Sequence, residues 1–103
     1  MKNDFFTDMS KAIKSGLKKC KELLSTKNYD GVLHETNGIL SIEPTNYSAL
    51  IFRGKALTEK KEFLKAEKDF RNAVDNDPDK PLGYQGLLVR GFFHSFLWKK
   101  LVF

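Results

Sequence analysis

Two stretches of this chain repeat one another at a spacing of 34 residues, and that spacing restricts the fold more than any other feature. Pro44 recurs as Pro78, Lys27 as Lys61, Leu23 as Leu57, Tyr29 as Phe63, and Glu35 as Asp69. A period of this length arises when one helical hairpin is duplicated and stacked on itself, because a single hairpin cannot bury its own apolar face. The chain of 103 residues has room for one such array. Stacked hairpins build extended surfaces that hold partners, so the period points to a scaffold rather than a catalyst.

The apolar pattern supplies the helices. Residues 1–9 show no period and read as a leader. Across residues 9–24, Ala12, Ile13, Leu17, Cys20, Leu23 and Leu24 recur at steps of three and four, one apolar stripe on a helix. The polar stretch 25–28 ends it. A second helix is predicted over 29–42, where Gly31 and Gly38 each weaken it by about 1 kcal/mol relative to alanine; Gly38 would also permit a close helix crossing. Glu43-Pro44-Thr45-Asn46 stops that helix and caps a third over 47–60. A fourth is predicted over 62–76, and Asp77-Pro78-Asp79-Lys80-Pro81 repeats the stop before a fifth from Leu82. With no alternating strand pattern, the fold class is all-α: an antiparallel helix-hairpin solenoid of about two and a half repeats. The repeats span 10–90, as 10–44, 45–78 and a partial 79–90, followed by an aromatic-rich tail over 91–103.

Charge is spread unevenly. Residues 1–27 carry seven lysines against three acids, whereas residues 80–103 carry four basic groups and no acid. Such ends attract nucleic acid or acidic protein electrostatically. A solvated lysine face is the plainer account, and the N-terminal lysines lack the interleaved aromatics of a base-stacking platform. Cys20 is the single cysteine, so no internal disulfide forms, which fits a cytoplasmic or nuclear compartment. Asp4 and Asp8 interrupt any signal sequence, and no apolar run reaches the roughly 18 residues of a membrane span.

The residue types at fixed positions carry a resemblance. Leu50, Gly54, Leu57, Ala66, Phe70, Ala73 and Pro78 fall where the tetratricopeptide repeat family places its signature residues. The small residues Gly54 and Ala66 mark where the helices of a hairpin touch, Ala73 admits the next hairpin, and Phe70 fills the groove between hairpins. The first unit is a degenerate copy, with Cys20, Val32, Thr36 and Ile39 at those positions and Pro44 retained; the third has Tyr84 but Leu88 at the glycine position. The runs 46–57 (NYSALIFRGKAL) and 82–87 (LGYQGL) are similar to the N-terminal repeats of the large tetratricopeptide subunits of superkiller complexes. That resemblance implies a cytoplasmic scaffold joining a helicase and a propeller-shaped subunit in 3′-to-5′ messenger RNA decay.

The resemblance also implies a partner-binding concave face lined by the first helix of each hairpin. Stepping by 34 residues groups Lys14, Ser48 and Leu82, then Leu17, Ile51 and Gln85, then Lys21, Lys55 and Val89. The lysines would pair with carboxylates of a protein partner. No catalytic residue is expected: His34 and His94 stand alone, Cys20 has no positioned base, and no triad, phosphate loop or zinc-protease motif occurs. Asp75, Asp77 and Asp79 imitate a calcium loop, but Lys80 replaces its turn glycine and Gly86 its closing glutamate. No cofactor, metal or membrane is therefore expected.

The tail over 91–103 holds Phe92, Phe93, Phe96, Trp98 and Phe103. Folding back as a cap, or ending a repeat array cut short, are the readings carried forward, and an uncapped aromatic tail favours association. Three alternatives to the decay scaffold stay open: a general co-chaperone or adaptor, an RNA-binding module using its basic ends, and a truncated product without function of its own.

Overall fold

A computed structural model of the chain describes residues 4–88. Val89 and the 91–103 tail lie outside them, as do residues 1–3 of the expected leader. Five helices follow in order: α1 (Asp4–Ser25), α2 (Tyr29–Ile42), α3 (Tyr47–Glu59), α4 (Phe63–Asn76) and α5 (Pro81–Leu88), with no strand among the described residues. The 34-residue period is written into their ends. The last residues of α1 and α3, the first and last residues of α2 and α4, and the first residues of α3 and α5 are all 34 apart. Each helix packs on the next, and α1, α3 and α5 also touch in series, so the architecture is a hairpin solenoid.

The turns explain the sharp boundaries. Within each hairpin the Asn28 N–H donates to the Leu23 carbonyl and the Lys27 N–H to Leu24, and Glu62 and Lys61 repeat both bonds on Leu57 and Thr58. This pair of bonds closes a helix C-terminus around one left-handed residue. Lys27 (φ 61°) and Lys61 (φ 64°) occupy that position, where a glycine would be unstrained. Asn28 and Asn46 then cap α2 and α3, their side-chain oxygens accepting from the N–H groups of Gly31 (3.0 Å) and Ala49 (2.9 Å). Between hairpins, Glu43 and Asn46 form the same backbone bonds as Asp77 and Lys80.

Packing follows the small residues. Gly54, Ala66 and Ala73 are all buried. A Cβ on Gly54 would lie 2.7 Å from the Phe70 ring, and one on Gly86 would collide with the same ring. Phe70 therefore fills the joint between α3 and α5 because both helices present bare backbone to it. By contrast a Cβ on Gly38 would meet nothing within 4 Å, so Gly38 makes no close crossing. The close approach between α1 and α2 is at Gly16, whose Cβ would lie 3.2 Å from Ile39. The leader is also shorter than its residues suggest: α1 already runs at Asp4, and Met9 packs on the core.

One ion pair recurs with the repeat. Arg53 on α3 grips Asp69 on α4 with two bonds of 2.8 Å, Nε to Oδ2 and Nη2 to Oδ1, while Nη1 reaches Asn37 on α2 at 3.0 Å. Thirty-four residues earlier, Lys19 and Glu35 pair at 3.5 Å. Asp69 is only 3% exposed, so its charge depends on that two-pronged contact.

Candidate functional site

A groove of about 490 Å³ lies where the end of α1, the start of α2, the end of α3 and the face of α5 converge. Leu24, Tyr29 and Leu82 form apolar walls and Phe70 part of the lining. Lys55 and Glu59, one turn apart on α3, bring opposite charges to the same wall, and Gln85 faces them from α5 with an amide. The Thr58 hydroxyl also borders the groove, but it donates to the Gly54 carbonyl at 2.8 Å. An apolar trough with one cation, one anion and one amide suits an extended segment that buries side chains and fixes its direction by polar contacts.

Three of the expected concave-face residues, Lys55, Gln85 and Leu82, come together here. The others do not. Ile51 is only 2% exposed and belongs to the core, and Leu17 packs against that core. The reason lies in the position of α3, which is covered by α1, α2, α4 and α5. Ala49, Leu50 and Ile51 are consequently buried in succession. Ser48, Lys14 and Lys21 are exposed but do not line the groove. Stepping by 34 treated every first helix as presenting one face. The groove instead takes the row one turn further on, with Leu24 and Thr58, then Ser25 and Glu59, as equivalent pairs.

Among the described residues no cluster of histidine, cysteine, aspartate or glutamate is arranged to hold a metal ion, and no helix is long and apolar enough to cross a membrane. Cys20 is fully buried, and its thiol is pushed up to about 11, first by burial and then by the Glu35 carboxylate. It is held as the protonated thiol, a packing group and not a nucleophile.

Over 78 residues, 76% of this chain, the sequence is 35% identical to a Xenopus laevis protein called tetratricopeptide repeat protein 37. Over the same length it is 32% identical to human superkiller complex protein 3 and 31% identical to the mouse protein of that name. The chain spans only 5% of each of these relatives. No family model matches the chain, and no solved structure matches it. Its similarity to tetratricopeptide repeat proteins thus rests on sequence and on the stacked hairpins together.

Proposed function

We propose that this chain, a stack of tetratricopeptide-type hairpins, is a non-catalytic protein-interaction module that holds a partner segment in the α1–α3–α5 groove. The carrying observation is that groove itself, where Leu82, Lys55 and Gln85 meet over Phe70. An apolar trough of this size accommodates a few side chains of an extended peptide. The similarity to superkiller complex protein 3 supports a narrower role in a messenger RNA decay assembly, with a helicase and a propeller-shaped subunit as partners. With that role we propose a cytoplasmic or nuclear location.

The test is affinity purification of the full chain from native cells beside a Leu82→Glu/Gln85→Ala variant. Both positions are exposed, so the variant is expected to keep its helical circular dichroism. Capture is expected to fall at least tenfold. Equal capture by the variant removes the groove from the account. Recovery of partners that include no helicase and no propeller subunit ends the narrower role and leaves the interaction module standing.

A further inference from the structure

Four lysines form a row along α1 that neither the groove nor the fold uses. Lys11, Lys14, Lys18 and Lys21 follow one another at steps of three, four and three, and all four are exposed. Helical geometry sets them on one narrow face, pointing away from the buried Ile13 and Cys20. Among the described residues none of the four makes an ion pair, whereas Lys19, Lys60 and Lys65 are each matched with an acid. The nearest acids on the helix, Asp8 and Glu22, lie on one flank of the row. Like charges three or four residues apart weaken a helix, and here that unfavourable spacing occurs at three consecutive steps.

The repeat register shows that this charge is not a packing requirement. The positions equivalent to Lys11, Lys14, Lys18 and Lys21 on the next unit are Thr45, Ser48, Phe52 and Lys55, so one of the four keeps its lysine. Phe52 packs on the core, and its own equivalent, Gly86, lies against Phe70. Where Phe52 and Gly86 are packed, α1 presents the exposed Lys18. Three of the four lysines are thus particular to α1 and make its exposed face the more basic one.

We propose that the row docks an acidic helix of a partner protein, with carboxylates at the same three-four-three spacing. Steps of about 4.5–6 Å place neighbouring ammonium groups within one Debye length at physiological salt, so their attractions add. An acidic helix laid alongside α1 repeats these axial steps and meets every lysine in turn, like the flanking charge pairs of a coiled coil. A nucleic acid strand is the less favoured occupant. The row contains no arginine for two-pronged phosphate contacts and no aromatic ring for base stacking.

Fluorescence anisotropy of the full chain with synthetic helical peptides tests this. One peptide carries glutamates at the three-four-three spacing, a second carries the same glutamates dispersed around the helix, and a third carries lysines in the row. The first is expected to bind, to weaken at least tenfold between low salt and about 0.5 M salt, and to lose at least tenfold on a K11E/K14E/K18E/K21E variant. The lysine peptide is expected to bind that variant. A K11Q/K14Q/K18Q/K21Q variant, neutral at the same exposed sites, is expected to keep wild-type circular dichroism and bind neither peptide. No binding of the first peptide at low salt overturns the proposal. So does equal binding of the dispersed peptide, or binding of a single-stranded oligouridylate of equal charge as tightly as the first peptide.

Discussion

Glycine at two positions shows how one residue type serves opposite ends. Gly54 and Gly38 are both helical, and in isolation alanine is better than glycine at each by about 1 kcal/mol. At Gly38 nothing stands within 4 Å of the added carbon, so Gly38→Ala is expected to stabilise the protein by about 0.5–1 kcal/mol. At Gly54 the added carbon falls 2.7 Å from the Phe70 ring, and overpacking of about 1–3 kcal/mol exceeds the helix gain. Gly54→Ala is expected to destabilise; urea denaturation of both variants reads the opposite signs. Cys20 makes a second residue-scale prediction. Its thiol titrates at about 11 in the folded protein against an ordinary 9.0. Below pH 9 both states are protonated and the full contribution is present; between pH 9 and 11 the unfolded state loses its proton more readily, and stability falls. Comparing the pH dependence of urea midpoints for wild type and Cys20→Ala isolates that fall, which the variant is expected to lack.

At the scale of elements, the helices and their ends, the start of α1 apart, were legible because their punctuation is local. Pro44, Pro78 and the polar turns stop each helix within its own few residues, and asparagine caps start α2 and α3. The match of Glu35 to Asp69 was visible too, but its meaning was not, because the partners Lys19 and Arg53 lie on other helices and only packing brings them near. Gly86 was hidden for the same reason: its role is fixed by Phe70 across a joint. Ile51 was read onto the concave face because its burial by the helices packed around α3 is not visible in its own pattern. The two equivalent ion pairs should differ sharply in weight. The Asp69 side chain is 5% exposed and doubly bonded, whereas Glu35 is 24% and Lys19 61% exposed. Asp69→Asn is expected to cost about 1.5–3 kcal/mol, because the half-buried Arg53 loses its charged, two-pronged acceptor. Glu35→Gln is expected to cost under about 1 kcal/mol. Equal losses in thermal denaturation would mean that the repeat register, and not burial, sets the strength of the pair.

Across the whole molecule, a stack of hairpins is held by each joint in turn, so its ends can open without its middle. Among the contacts that tie α5 to earlier helices are the Phe70 ring seated against Gly86 and the Tyr47 hydroxyl accepting the Gly83 N–H at 2.9 Å. That second bond satisfies a buried donor in the first turn of α5, where no carbonyl of the same helix is in reach. Lys80 strengthens the same corner by resting its ammonium 4.8 Å from the Tyr47 ring centroid. Tyr47→Phe keeps the ring and strands the Gly83 N–H, a loss of about 1–2 kcal/mol. Because α5 packs mainly on α3 and α4 among the described residues, the loss is expected as faster amide exchange in α5 while α1 and α2 keep their protection. Uniform acceleration across α1–α4 would show that the hairpins open together, and the groove formed by α1, α3 and α5 would then be as rigid as the core beneath it.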